Sequence, residues 1–186
     1  MSQQINSTFE ITNWPFLKYA YNNIIRDQNI NENATLKIIG NHLNGYSNKD
    51  VNAISFIGCK FSKFPQQLTA VFPNIEAIYI YQSNMPYILR EDLKEYKKIK
   101  QFYIEENKIT FLQQDLLADM KSLEIFYVHE NNLLYVEPEI FDNLGNIRYI
   151  NFDQCSIHNF TFNADGSKDC KTLEEVKKKL QEKHQN

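Results

Sequence analysis

No stretch of this 186-residue chain approaches 18 consecutive apolar residues, so no segment is written as a membrane-spanning helix. The opening SQQINSTFEITNW has neither a basic start nor an apolar run. The chain as given therefore carries no secretory signal, and is expected to be either intracellular or a mature form lacking its signal. A formal charge of −3 and a pI near 5.8 supply no basic footprint for nucleic acid. Catalytic signatures are missing too. There is no GxSxG, no GxxxxGK and no paired CxxC, and His129-Glu130 runs into Asn131, Asn132 and Leu133 instead of completing HExxH. Neither an enzyme, nor a cofactor, nor a metal site is expected.

Cysteine is scarce and odd in number: Cys59, Cys155 and Cys170 leave at least one thiol free or paired with another chain. Cys155-x-x-His158 has a ligand-like gap but no further partners, and reads as structural. Cys59 reads as a small buried hydrophobe. Asn6, Asn33 and Asn159 head Asn-x-Ser/Thr triplets, a number close to what chance gives in so Asn-rich a chain.

What is present is a repeat. Segments beginning at Val51, Ile75, Ile99, Leu123 and Ile147 stand 24 residues apart and share one pattern: VNAISFIGCKF, IEAIYIYQSNM, IKQFYIEENKI, LEIFYVHENNL, IRYINFDQCSI. Places one, four, six and eleven are apolar in every unit. A fixed period of this length means stacked units of one supersecondary type, each of which leaves its apolar edge wet until a neighbour covers it. Alternation around places three to seven predicts a strand with one buried face. Place nine (Cys59, Ser83, Asn107, Asn131, Cys155) is small or hydrogen-bonding, suited to satisfying backbone where the chain leaves the strand. Places fourteen, nineteen and twenty-two return apolar side chains to the interior, except for Thr69 in the first unit, and the second half of each unit is too short for a full helix.

The pattern resembles the leucine-rich repeat, LxxLxLxxNxLxxLPxxxFxxLxx, as in LEIFYVHENNLLYVEPEIFDNLGN (Leu123–Asn146), and covers Val51 to Phe160. The resemblance implies an α/β fold: a right-handed β-α solenoid with a parallel concave sheet, short irregular convex segments and a C-terminal capping helix. The unit length, with Phe141 and Leu144, is similar to the extracellular class of these repeats. GNHLNGYSNKDV (Gly40–Val51) followed by VFPNIEAI more narrowly resembles short secreted leucine-rich-repeat proteins of insects. That likeness implies a secreted, disulfide-bonded glycoprotein. Secreted relatives usually close the N-terminal cap with a disulfide, whereas here no Cys precedes Cys59.

Three regions follow: an N-terminal cap over 1–50, five repeats over 51–160 and a C-terminal cap over 161–186. In the first, ATLKIIGN (Ala34–Asn41) is expected as an extra strand over the first repeat, with Trp14, Phe16, Leu17, Tyr19 and Tyr21 as an aromatic lid. In the last, Thr172-Leu-Glu-Glu175 reads as a capping box starting a helix with Leu173, Val176 and Leu180 on one face. By the resemblance, Cys155 and Cys170 would form the C-terminal cap disulfide, with Asp165, Gly166 and Ser167 as the turn between them. Free thiols remain the alternative.

The side chains expected to point out of the strands form rows, because parallel strands lie about 4.8 Å apart. Place five reads Ser55, Tyr79, Tyr103, Tyr127, Asn151; place seven reads Ile57, Tyr81, Glu105, His129, Asp153; place eight reads Gly58, Gln82, Glu106, Glu130, Gln154. Tyr149 adds a ring from place three. The whole face sets Glu76, Glu105, Glu106, Glu124, Glu130 and Asp153 against Lys100 and Arg148, a local balance of −4. The expected contact set is Tyr79, Tyr81, Tyr103, Glu105, Glu106, Tyr127, His129, Glu130, Tyr149 and Asp153. Tyrosine gives rigid contact area with a polar tip, and acids attract and orient a basic partner. The expectation is a non-catalytic module that recognises a protein partner, one carrying a basic patch, through its concave face. Nucleic acid and membrane insertion are not expected. Extracellular recognition or immunity is what the resemblance implies; a cytoplasmic scaffold is the alternative, and a carbohydrate or other small ligand on the tyrosine row is a third.

Overall fold

The computed structural model describes residues 2–14, 17–31, 35–156 and 159–182. Its main sheet is built from the repeat. Strands β5 (Ala53–Ile57), β6 (Ala77–Tyr81), β7 (Gln101–Glu105), β8 (Ile125–Tyr127) and β9 (Tyr149–Asn151) lie side by side and parallel. Every pairing joins residues 24 apart, as Ser55 to Tyr79, Tyr79 to Tyr103, Tyr103 to Tyr127 and Tyr127 to Asn151. A one-residue slip would turn every buried side chain outward, so the apolar pattern fixes this register.

Places four and six supply the centre of the core. Ile54, Ile78, Phe102, Phe126 and Ile150, with Phe56, Ile80, Ile104, Val128 and Phe152, are all fully buried. Each contributes roughly 1.5–3 kcal/mol. The second halves of the units are short, as expected: helical turns at Leu68–Val71 and Arg90–Leu93, and a 3-10 turn at Pro138–Phe141. Place eighteen also faces inward, which the sequence pattern did not disclose. Leu68, Leu116 and Ile140 fill it, and in the second unit it holds the buried acid Asp92. Asp92 accepts from the Leu89 amide at 3.0 Å and Gln66 Nε2 at 3.1 Å, and Lys63 stands 3.6 Å away.

Place nine turns inward and carries a polar ladder between coils. The Asn107 Oδ1 accepts from the Ser83 and Met85 amides, both at 3.1 Å, while its Nδ2 donates to the Ile80 carbonyl at 2.9 Å. Asn131 repeats this one coil on, accepting from the Ile109 amide at 3.1 Å and donating to the Ile104 carbonyl at 2.6 Å. Ser83 Oγ accepts from the Cys59 amide at 3.1 Å. The turn into place nine is made at place eight, where Gly58, Gln82, Glu106, Glu130 and Gln154 all have φ between +49° and +65°.

The sheet is mixed at its edges. β3 (Leu17–Arg26) pairs parallel with β5, and β2 (Thr8–Trp14) then pairs antiparallel with β3. At the far end β10 (Thr161–Asn163) pairs antiparallel with β9. The strand over the first repeat is thus β3, not Ala34–Asn41. Within that segment Thr35–Ile39 (β4) is a strand, but it pairs with Ser2–Asn6 (β1) in a separate two-stranded sheet. The reason lies in Tyr21-Asn-Asn-Ile-Ile-Arg-Asp-Gln-Asn-Ile30, which mimics a repeat: Ile25 occupies place six, Ile30 place eleven, and Asp27 has the left-handed place-eight backbone (φ 51°). Its offset from the first unit is 31 residues, as Asn22 facing Ala53 records, so it escapes a 24-residue search.

Of the expected aromatic lid, Phe16 and the side chains of Trp14 and Tyr19 lie outside the described residues. Tyr21 is buried among Phe9, His42 and Tyr46, and its hydroxyl bonds His42 Nδ1 at 3.0 Å. Leu17 packs on the opposite face, beside Ala20 and Ala53. At the C-terminus the helix α1 (Leu173–Glu182) buries Val176 and Leu180. Thr172 Oγ1 accepts from the Glu175 amide at 3.2 Å, while the Glu175 carboxylate accepts from the Lys171 amide at 2.7 Å.

The expected Cys155–Cys170 bridge is not formed: Cys59, Cys155 and Cys170 are all free and buried. Cys155 occupies place nine, where its thiol points back to the Val128 carbonyl at 3.2 Å, as Asn131 reaches the Ile104 carbonyl one coil earlier. The backbone of Cys170 pairs in parallel with that of Phe162, and its thiol is buried. His158, the second half of the Cys-x-x-His pair, lies outside the described residues.

Candidate functional site

Alternation puts places three, five and seven on the outer face of the sheet, and there the tyrosines meet. Tyr79 stacks on Tyr81 at 5.6 Å between ring centroids and meets Tyr103 edge-on at 5.9 Å. Tyr103 stacks on Tyr127 at 4.9 Å, and Tyr127 on Tyr149 at 5.1 Å. Five rings from four strands thus form one continuous ladder. Burial against this ladder pushes the phenols of Tyr79, Tyr103 and Tyr127 well above the ordinary range, so all three are neutral donors.

The ladder is not evenly exposed. Tyr79, Tyr81, Tyr127 and Tyr149 are half-buried, but Tyr103 is only 6% exposed and belongs to a second apolar cluster with Ala20, Ala53, Ala77 and Ile125. Its neighbours cover it, and its hydroxyl donates to Gln101 Oε1 at 2.9 Å. Tyr103 is therefore the pillar of the row and not itself an open contact. That is a correction to the expected contact set.

The acids gather along the adjoining edge, where the strands end. Glu105, Glu106, His129, Glu130 and Asp153 are all half-buried on consecutive coils. Tyr81 and Gln82 donate to the Glu106 carboxylate, Gln82 Nε2 at 2.6 Å, and these bonds hold it below the usual range. Glu105 is the reverse case: burial raises its pKa, with Glu106 and Glu130 adding repulsion against the pull of His129. His129 Nε2 sits 2.8 Å from the Glu130 carboxylate. Both bases of the face are already used, Lys100 by Glu76 at 3.0 Å and Arg148 by Glu124 at 3.8 Å. The remaining Glu105, Glu106, Glu130 and Asp153 keep the −4 balance on one flank.

Sequence reasoning missed the outer face of the N-terminal strands. Glu10, Asn22, Ile24 and Arg26 extend the same surface beyond β5, because β2 and β3 continue the sheet. The place-six and place-eleven match of Ile25 and Ile30 was the available signal. A second surface, on the flank away from the sheet, is the exposed stack of Phe111 on Tyr135 at 5.4 Å, near the exposed Leu134. Among the described residues, no group of three His, Cys, Asp or Glu is placed to hold a metal ion, and no helix is long and apolar enough to cross a membrane.

Residues 97–157 match the family model for the leucine-rich repeat, and over that span the chain carries such repeats. No curated protein matches the chain.

Proposed function

We propose that this leucine-rich repeat protein is a non-catalytic recognition module that binds a protein partner through the outer face of its main sheet. In this reading the coils of 51–160 stack as a solenoid with that face concave, and 1–50 and 161–186 serve as its caps. Leucine-rich repeats generally mediate protein–protein interaction, which supports the class of function. The observation that carries the site is the pairing of a five-ring tyrosine ladder with four acids along its edge that, among the described residues, no lysine or arginine pairs with. Aromatic rings fixed by their neighbours offer contact area at little entropic cost, and the acids select a basic partner. Reversing Glu106, Glu130 and Asp153 together to Lys tests this. Capture of the partner from the source tissue is expected to fail with that variant and to weaken in wild type as salt rises. Capture insensitive to both would remove the reading.

The likeness to short secreted insect proteins supports an extracellular setting. A second reading, a cytoplasmic adaptor, is supported by the three free thiols, which reducing compartments preserve. Thiol titration and glycan analysis of protein from its native source separate the two.

A further inference from the structure

The tyrosine row ends abruptly. Place five carries Tyr127, Tyr103 and Tyr79 on successive strands, then drops to Ser55 on β5. Where the next ring would stand there is a cavity of about 360 Å³, open on the outer face and reaching from β7 across to β2. That volume lies at the low end of small-molecule sites, roughly 300–1,000 Å³.

Its lining is chemically mixed. Tyr79 supplies ring surface on one side, with the covered Tyr103 behind it, and Ile24 and Ile57 supply aliphatic surface. The buried pair Asn22 and Ser55 forms the polar base, Asn22 Nδ2 donating to Ser55 Oγ at 2.9 Å. Around this stand three charged groups: Glu105 on β7, Glu10 on β2 and Arg26 on β3. Among the described residues Arg26 and Glu10 form no ion pair, and the Glu105 carboxylate accepts no hydrogen bond. Arg26 and Glu105 share place seven but stand three strands apart, about 14 Å at the usual strand spacing.

Those groups define what fits. A simple cation would meet Arg26, and a simple anion would meet Glu10 and Glu105. A neutral ring that carries both donors and acceptors can use all three, together with the amide and hydroxyl at the base. Its carbon-bound face must also tolerate tyrosine and isoleucine. A sugar ring has both properties: an apolar C–H face, and hydroxyls that donate and accept at its rim. A site built to hydrogen-bond hydroxyls discriminates strongly, because unfilled polar groups are left unpaired.

We propose that this cavity is a binding site for one neutral pyranose, taken either as a free sugar or as the terminal residue of a glycoconjugate. Tyr79 faces the C–H surface of the ring, backed by the covered Tyr103. Glu10 and Glu105 accept from its hydroxyls, and Arg26 donates to them. The site shares Tyr79 and Glu105 with the docking face but not Glu106, Glu130 or Asp153, so variants at Ser55 and Arg26 test it separately from protein recognition.

The test is saturation-transfer NMR with methyl glycosides of glucose, galactose, mannose and N-acetylglucosamine, run beside an array of immobilised oligosaccharides. Transfer to the ring protons of at least one methyl glycoside is expected, and identifies a free sugar as sufficient. Binding confined to the array assigns the same site to a glycoconjugate. Ser55→Tyr continues the existing row into the cavity and is expected to abolish either signal. Arg26→Ala, an exposed change that leaves the core alone, is expected to weaken binding roughly tenfold, the loss of one charge-assisted hydrogen bond. Tyr135→Ala, on the far flank, should bind as wild type. No signal from panel or array, or binding unchanged in both Ser55→Tyr and Arg26→Ala, overturns the proposal. Since Ser55→Tyr leaves Glu106, Glu130 and Asp153 in place, its capture of a protein partner is a separate readout.

Discussion

Tyr103 and Tyr127 face each other from the same register position of adjacent parallel strands, their rings 4.9 Å apart, yet only Tyr127 is open to solvent. One side chain of the pair holds the row in place and the other is presented. This division of labour sorts the ladder: substitutions at Tyr103 act on stability first, those at Tyr79, Tyr127 and Tyr149 on recognition. Tyr103→Ala is expected to lower stability by about 3–5 kcal/mol, as for truncating a buried aromatic, measured by urea unfolding. Tyr149→Ala should cost much less.

The place-nine ladder makes a second claim on stability. Asn107 and Asn131 each satisfy buried amides and carbonyls of two coils. Replacing either by Ala leaves those groups unpaired and is expected to cost about 1–3 kcal/mol. Equal urea midpoints for wild type and Asn131→Ala would show that the ladder carries no weight.

Place eight predicts a backbone signature. Gln154 has φ 55° and an exposed side chain. Gln154→Gly should be tolerated or mildly stabilising, whereas a β-branched residue pays the left-handed penalty. Gln154→Val is expected to lose about 1–2 kcal/mol. Thermal unfolding of the two variants side by side reads the difference.

The thiols should be slow. Burial pushes Cys155 up to about 11, and raises Cys59 and Cys170 as well. At pH 8 the reactive thiolate is therefore rare, and access is poor. Iodoacetamide should label none of the three quickly in the folded protein, and all three after unfolding without reductant. Fast native labelling of Cys155 contradicts its place in the core.

Glu105 gives the acid side a pH dependence of known sign. Its folded pKa is raised, chiefly by burial, above the unfolded value. The stability tied to its neutral form is thus complete below the unfolded pKa of about 4.3 and is lost as pH rises through the folded value. Glu105→Gln should match wild type in mild acid and exceed it at neutral pH, as followed by urea midpoints across that range. A variant less stable at neutral pH reverses the sign and refutes the assignment.

The legible part of this fold was periodic. Ile54, Phe102 and Val128 could be placed because a 24-residue spacing fixes both their neighbours and their face. β3 escaped because its Ile25 and Ile30 sit at an offset of 31, past the inserted stretch that ends at Asp50. The returning strands β2 and β10 escaped because they pair antiparallel and obey no repeat. Tyr103 was legible as outward-facing but not as covered, since burial on that face comes from the neighbouring rings. Cys155 looked like a bridge partner by resemblance, although its place-nine position already assigned it to the Val128 carbonyl.

The most direct test of the outer face as a docking strip is partner capture by the combined variant Tyr79→Ala, Tyr127→Ala and Tyr149→Ala. Tyr135→Ala serves as the control on the opposite flank. The strip predicts that the combined variant folds, by circular dichroism, and captures nothing, while the control captures as wild type does. Full capture by the folded combined variant would contradict it.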